Sequence, residues 1–376
     1  MTTPPVAQAT DSRLNKERVK FGGPSLTGLV RPADAHVVSS PDCATRVQQP
    51  FHRLASLVQH IESRLAAARS SDQQAILAQH RRAMLDAMHD LGGAIQAFLD
   101  RSPGEAETQA AREWVVPPIR AWSATGPFFH HAFAKPRGYP GDFETIEIIY
   151  DCCPRADDLP GLIFDDYYLH ARPAQAVRNR LAYLVDKLAA EVHRRTVAGI
   201  QPVRLLSLGS GPARELALLS GYPGCAQAVE VTCLDMDGAA LTYAHQRING
   251  RLNGQVQFVH DNALRYARGA NRPAQPFDVI YAAGLFDYLN ADLAARLIED
   301  CHGMLAPGGT LIVGNFSTET HPNDRVLVDW LLDWPLLYRD EQAYRRIFAR
   351  TSFGVAGLRF EFEPLRANLF AVAQLV

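Results

Sequence analysis

Residues 203–211, "VRLLSLGSG", place the tightest limit on what this chain can fold into. A mostly apolar run of six residues leads straight into Gly209-Ser210-Gly211, and a helical pattern follows Pro212. A short, mostly apolar run that ends at a glycine turn reads as a strand. The unit then repeats. Strands are expected at 229–235, 256–260, 277–283 and 310–316, with helical stretches at 213–220, 238–249 and 291–305 and a short turn at Arg265. Repeated βα units imply an α/β fold whose parallel sheet carries helices on both faces. The end departs from that rule. "LRFEFEP" and "NLFAVAQLV" read as two strands joined by a short turn, an antiparallel pair that closes the sheet.

The first third has a different texture. Residues 1–45 are rich in Pro, Ser, Thr and Ala without a sustained period and read as a flexible tail. From Phe51 the period becomes helical, with Leu54, Leu57, Val58, Ile61 and Leu65 on one stripe; further helices are expected over 73–99 and 105–122. The domain reading is therefore a tail (1–45), an N-terminal helical domain (46–125), a connecting lid segment (126–172) and the sheet domain (173–376), which opens with a helix over 173–197. Within the connecting segment, "GPFFHHAFAKPRGYPGD" (126–142) is dense in Gly, Pro and aromatic residues and reads as a structured loop.

Composition excludes several classes. A formal net charge of −2 on 376 residues argues against bulk attraction to nucleic acid. The six cysteines form no C-x-x-C pair and read as reduced thiols. The N-terminus has no apolar secretory core, and no apolar run reaches membrane-spanning length, so a cytoplasmic protein without a membrane span is expected. His130 and His131 are adjacent with no carboxylate or Cys to complete a ligand set, so no metal is expected. Oligomeric state stays open.

Ligands of such sheets sit at the carboxyl ends of the strands, beside the first one. There Gly209 and Gly211 lack a Cβ, which lets backbone N–H groups approach a ligand, and Ser210 lies between them. A dinucleotide loop would carry a third glycine at 214, where this chain has Arg214. Asp235 ends the second strand and can accept bonds from two ribose hydroxyls. Asp261 and Asn262 end the third and can read an adenine amino group. Ala283 ends the fourth, and "LAPGGTLIVGNF" turns into the fifth. Each piece alone is also met as an ordinary turn or strand end. Together, in this order, they describe a pocket for S-adenosyl-L-methionine.

These motifs resemble those of class I S-adenosylmethionine-dependent methyltransferases over roughly residues 200–376. The resemblance implies a Rossmann-like seven-stranded methyltransferase sheet with its last strands antiparallel. It implies that Gly209 and Gly211 flank the methionine part of the cofactor, that Asp235 holds the ribose and that Asp261 holds the adenine. Most members carry an acid two positions before the first glycine. This chain has Ser207, and Asp237 and Glu215 are the nearby acids that can stand in. A narrower resemblance rests on "KPRGYPGDFETIEIIY", "AQAVRNR", "IYAAGLFDYL", "VGNF" and "DWPLLYRDE". It points to the extracellular-factor, 3-hydroxypalmitic acid methyl ester biosynthesis methyltransferases and implies O-methylation of a carboxylic acid.

The nucleophile decides which side chains a methyl acceptor needs. A carboxylate is ionised at neutral pH and needs cationic or amide groups to hold it; an amine must first lose a proton. Candidates for the grip are Arg137, Arg178 and Asn179. Arg137 either acts in a lid over the cofactor or is a structural partner of Asp142. Tyr139 either stacks on a ligand or plugs a seam. One of Arg178 and Arg180 is expected to face solvent. Asp287 is either a base or a helix cap, and Tyr288 either a substrate contact or core. Asn315 and Tyr338 are expected near the acceptor, and Trp330 and Trp334 are either core or the wall of an acyl pocket. The favoured function is methylation of a small-molecule carboxylate such as a hydroxy fatty acid. The alternatives are N- or S-methylation of an amino acid or specialised metabolite, and a non-catalytic cofactor-binding regulatory module.

Overall fold

The computed structural model describes residues 41–254, 256–269 and 275–375, all within one compact unit spanning 37–376. Most of the expected tail lies outside the described residues. Its last five residues do not: the first helix, α1, runs Pro41–Ala66, and a proline is tolerated in a first turn. Then come α2 (Gln73–Leu99) and α3 (Glu105–Ser123). Leu77, Met84, Met88, Leu91 and Ile95 of α2 are buried in one stripe, the 3.6-residue period legible in the sequence.

The connecting segment is more regular than its composition suggested. It holds α4 (Pro127–Ala134), α5 (Phe143–Asp151) and α6 (Leu159–His170), and only 135–142 is a loop between α4 and α5. The glycines and prolines act as punctuation. Pro127 sits in the first turn of α4, and Asp142 caps α5 by accepting from Thr145 N at 2.8 Å. The long α7 (Arg172–Val197) then leads into the sheet.

The sheet strands are β1 (Val203–Leu208), β2 (Val229–Asp235), β3 (Val256–His260), β4 (Phe277–Ala282), β5 (Leu305–Phe316), β6 (Arg359–Phe362) and β7 (Asn368–Gln374). Their order is β3-β2-β1-β4-β5-β7-β6. All neighbours are parallel except β7, which runs antiparallel to both β5 and β6. This is the expected seven-stranded, Rossmann-like sheet. Between its strands lie α8 (Arg214–Leu219), α9 (Cys225–Ala228), α10 (Gly238–Ile248), α11 (Ala263–Arg268), α12 (Ala291–His302), α13 (Pro322–Leu332) and α14 (Glu341–Phe348). Alternate residues of each strand feed two cores. Leu206, Leu208 and Ile280 pack with α12 and α14, while Leu205, Val231 and Val279 pack with α7, α8 and α10.

The chain order reverses between β1 and β4, so the strand ends on either side of that crevice face a common space. The N-terminal helices reach it through α13. Gly92 of α2 lies so close to α13 that a Cβ there would stand 2.5 Å from Asn323 O, and Asn323 Nδ2 donates to His89 O at 3.1 Å.

Candidate active site

A single cleft of about 480 Å³ opens at this switch point. Ser207, Gly209, Ser210, Gly211, Asp235, Asp261, Asn262 and Ala283, all expected at the cofactor, line it together. Gly209 and Gly211 have φ of +65° and +50°, and an added Cβ on Gly211 would meet no atom within 4 Å. One expectation fails here. The amides of this loop are not free to cradle a ligand: Gly209 N and Ser210 N donate to Leu234 O at 2.9 and 3.0 Å, and Gly211 N donates to Asp235 Oδ2 at 2.8 Å. The left-handed turn folds those groups back onto the end of β2, so the glycines supply clearance and the side chains must supply the polar contacts.

Asp235 is buried and braced by Gly211 N and by Asp237 N at 2.9 Å; burial pushes its carboxyl up, and those backbone bonds oppose the shift. Each oxygen keeps a lone pair for a further donor. Asp261 lines the cleft while paired to Arg265. Asn262 caps α11 through Oδ1, leaving its Nδ2. Ser210 Oγ is buried without a hydrogen-bond partner.

The other half of the cleft is built by helices far apart in sequence. Phe128, Tyr167, Tyr168, Val177, Leu327 and Leu332 contribute apolar walls, with Trp334, Tyr288 and Tyr338 beside them. Trp334 Nε1 donates to Tyr288 Oη at 2.9 Å, and Tyr288 Oη donates to Pro140 O at 3.3 Å. Gly141, at φ +72°, sits against this pair: a Cβ would lie 2.7 Å from both Trp334 Cζ2 and Tyr288 Oη. The loop carrying it is tied to the end of β2. Arg137 Nη1 lies 3.2 Å from Asp237 Oδ2, Arg137 Nη2 bonds Glu144, and Tyr139 Oη donates to Asp237 at 3.3 Å. Arg137 therefore pairs with Glu144 and Asp237 and not with Asp142, the structural alternative, whose Oδ1 caps α5.

A family model described as a methyltransferase domain matches residues 206–311, from the middle of β1 into β5. That stretch contains the glycine loop, Asp235, Asp261 and Ala283. The chain carries a methyltransferase domain that uses S-adenosylmethionine. Among solved structures, a possible exported protein from Bordetella parapertussis shares the fold, with 18% identity over 62% of this chain and 79% of that one and a TM-score of 0.50. Two more distant similarities are an O-methyltransferase family protein from Burkholderia thailandensis (18% identity, 61% and 66% covered, TM-score 0.39) and magnesium protoporphyrin IX methyltransferase from Synechocystis PCC 6803 with bound S-adenosylmethionine (12%, 54% and 83%, 0.39). No curated protein sequence matches the methyltransferase.

The charge of the methyltransferase's cleft suits a cationic donor. Among the described residues lining it, Glu215, Asp235, Asp261, Asp287 and Asp324 are acids and Arg180 is the one Lys or Arg. Such a wall favours a sulfonium that also carries an ammonium.

Several expected acceptor contacts lie elsewhere. Arg178 does not face the cleft; Nη1 donates to Leu169 O at 2.7 Å and Ile149 O at 3.2 Å, joining α7 to α5 and α6. Asn179 donates to Glu363 Oε2 at 2.8 Å. Asn315 is fully buried. Its Nδ2 donates to Asp287 Oδ1 (2.8 Å) and Leu337 O (2.6 Å) and its Oδ1 accepts from Arg339, so nothing is left for an acceptor. Asp237 does not line the cleft; it caps α10 and holds Arg137 and Tyr139. Asp287 does line it, but caps no helix. Its Oδ1 braces β5 by accepting from Phe316 N at 2.6 Å, and its Oδ2 faces Arg180 Nη1 at 3.9 Å; burial pushes this carboxyl up to about 7. Trp330 and Trp334 part company, because Asp333 turns left-handed at the end of α13. Trp330 goes to the core and Trp334 to the cleft.

Two residues emerge that the sequence left in the background. Arg180, expected as at most one of a pair, is buried at 6% exposure and lines the cleft with Nε and Nη1 unpartnered. It packs on Gly284, where a Cβ would stand 3.2 Å from Nη1. Helical phase explains the exchange: Ala174, Val177 and Arg180 share the cleft face of α7, and Arg178 is turned about 200° away from Arg180. The run of apolar 174 and 177 continued to 180 was the available signal. Glu215, in the first turn of α8, is likewise buried and lines the cleft.

Proposed function

We propose that the methyltransferase esterifies the carboxylate of an apolar small molecule, such as a hydroxy fatty acid, in the cytoplasm. The observation that carries this reading is Arg180: a buried guanidinium whose Nε and Nη1 make no hydrogen bond, with Nη1 3.9 Å from Asp287 Oδ2, at the seam between the strand ends and the apolar half of the cleft. The narrower resemblance to methyl ester biosynthesis enzymes supports the same chemistry. When bound, the cofactor supplies an electrophilic methyl group on a sulfonium. Asp235 holds the ribose hydroxyls, Asp261 and Asn262 the adenine edge, and Ser207, Ser210 and Ala283 border the methionine end. The 135–142 loop, pinned by Arg137 and Tyr139 to Asp237, acts as a lid that excludes water. An acceptor carboxylate arrives ionised, so no base is required; Arg180 orients it, and the apolar walls desolvate its oxygen.

The test is product mass after incubation with labelled cofactor and a panel of fatty acids, hydroxy acids and amines, followed by Arg180→Met. The expected product is a methyl ester. The variant should raise the acceptor KM by about ten-fold or more, as loss of a charge-assisted fork does, with unchanged affinity for S-adenosylhomocysteine. If instead S-adenosylhomocysteine binding collapses while the acceptor KM holds, Arg180 serves the cofactor's own carboxylate and the ester reading falls.

A second reading, methylation of an amine, is favoured by Asp287. A carboxyl poised near 7 beside the acceptor half can take the proton an amine must lose. An N-methyl product with loss of turnover in Asp287→Asn would select it.

A further inference from the structure

The cofactor's methionine end carries an ammonium, and Ser207 has no charge to meet it. The sheet register shows what stands beside that position. Ser207 on β1 is paired in register with Tyr281 on β4, so the two residues are direct neighbours across the strands. Tyr281 Oη in turn donates to Glu215 Oε1 at 3.0 Å. Ser207, Glu215 and Tyr281 all line the cleft. A carboxylate is thus one hydroxyl away from the place where Ser207 stands, delivered from the first turn of α8 and not from β1. The other acid near the loop, Asp237, is committed to Arg137, Tyr139 and the cap of α10.

We infer that Glu215, oriented by Tyr281 beside Ser207, is the anion that receives the cofactor's ammonium in this chain. The assignment is independent of which acceptor is methylated. The surroundings of Glu215 explain why it waits for a cation. It is buried at 7% exposure, and the charges facing it act in opposite directions: Arg247 from α10 favours its ionised form and Glu147 from α5 opposes it. Tyr150 of α5 and Cys233 of β2 also face it, and Tyr150 is flanked by Arg180. Burial is the dominant effect and pushes the Glu215 carboxyl up to about 7.

The sign of the pH effect follows. With a raised value in the free protein, Glu215 is largely protonated below about pH 7 and must lose that proton to accept an ammonium. Affinity for ammonium-bearing ligands therefore rises between about pH 5.5 and about pH 7.5, with proton release on binding, whereas a ligand without the ammonium shows neither.

The experiment is calorimetry on the full chain with three probes. S-adenosylhomocysteine has the ammonium and the carboxylate. Its decarboxylated form, S-adenosyl-3-thiopropylamine, keeps the ammonium alone. 5′-Methylthioadenosine has neither. Glu215→Gln is expected to weaken the first two by about ten-fold and to leave the third unchanged. In the double variant S207D/E215Q, an acid restored on β1 should recover most of the loss. Equal weakening of all three ligands would reduce Glu215 to a structural role and overturn the assignment, as would no change in any. Should the variants fail to fold, the wild-type pH series decides: the same pH profile for 5′-methylthioadenosine and S-adenosylhomocysteine overturns it.

Discussion

The two halves of the cleft are made in opposite ways. The cofactor half is assembled from residues that end or immediately follow β1, β2, β3 and β4, so each position is fixed by where a strand ends. The acceptor half draws Phe128, Tyr167, Val177, Leu327 and Trp334 from five separate segments spread over some two hundred residues of chain. The first half is polar and acid-lined; the second is apolar with tyrosines at its edge. The difference teaches that the proposed donor site is a property of the sheet, while the proposed acceptor site is a property of how helices are laid over it. One fold can then keep its donor and change its acceptor by altering the cover alone.

The comparison can be broken most severely at Asp235. Asp235→Ala should lower affinity for S-adenosylhomocysteine by about ten-fold or more, since a buried carboxylate that also braces Gly211 N is lost. Unchanged affinity in calorimetry would mean that the acid at the end of β2 does not serve the donor. On the other side of the seam, Trp334→Ala removes a large apolar wall and should raise the acceptor KM by about ten-fold, with donor affinity within about two-fold of wild type. Steady-state kinetics beside calorimetry would separate these, and an equal loss in both would show that the halves are not independent. The smallest effect is expected at the hinge between them. Arg137→Ala leaves Tyr139 as the remaining tie from the lid loop to Asp237 and should lower turnover by roughly three- to five-fold, more than it lowers donor affinity, as a partly exposed ion pair is worth little by itself. Kinetics identical to wild type would remove the lid role.

That the residues of the proposed donor half meet at one cleft was legible in the sequence. The apolar runs at 203–208 and 277–282, the glycine turn and the acids at 235 and 261 lie next to one another in the chain because strand and turn are local structures. The acceptor half was legible only as a set of candidates. Arg178 and Arg180 are two residues apart, yet one ties α5 and α6 to α7 and the other lines the cleft. Asn315 was placed correctly at the end of β5, but its side chain is consumed by Asp287, Leu337 and Arg339, residues 22 to 28 positions away.

By itself, then, the sequence determined the seven-stranded sheet, the position of its switch point and the kind of donor it holds. Period, apolar runs and turn glycines encode those over windows of ten residues or fewer, where backbone sterics dominate. Only the tertiary structure decided which arginine faces the cleft, which tryptophan walls it, where the loop amides are spent and which acid is bonded to Tyr281, the strand neighbour of Ser207. Each of those depends on the rotation of a helix about its own axis and on a partner brought in from a distant segment. A change of one residue in helical phase turns a side chain by about 100°, a rotation fixed by packing across the whole core.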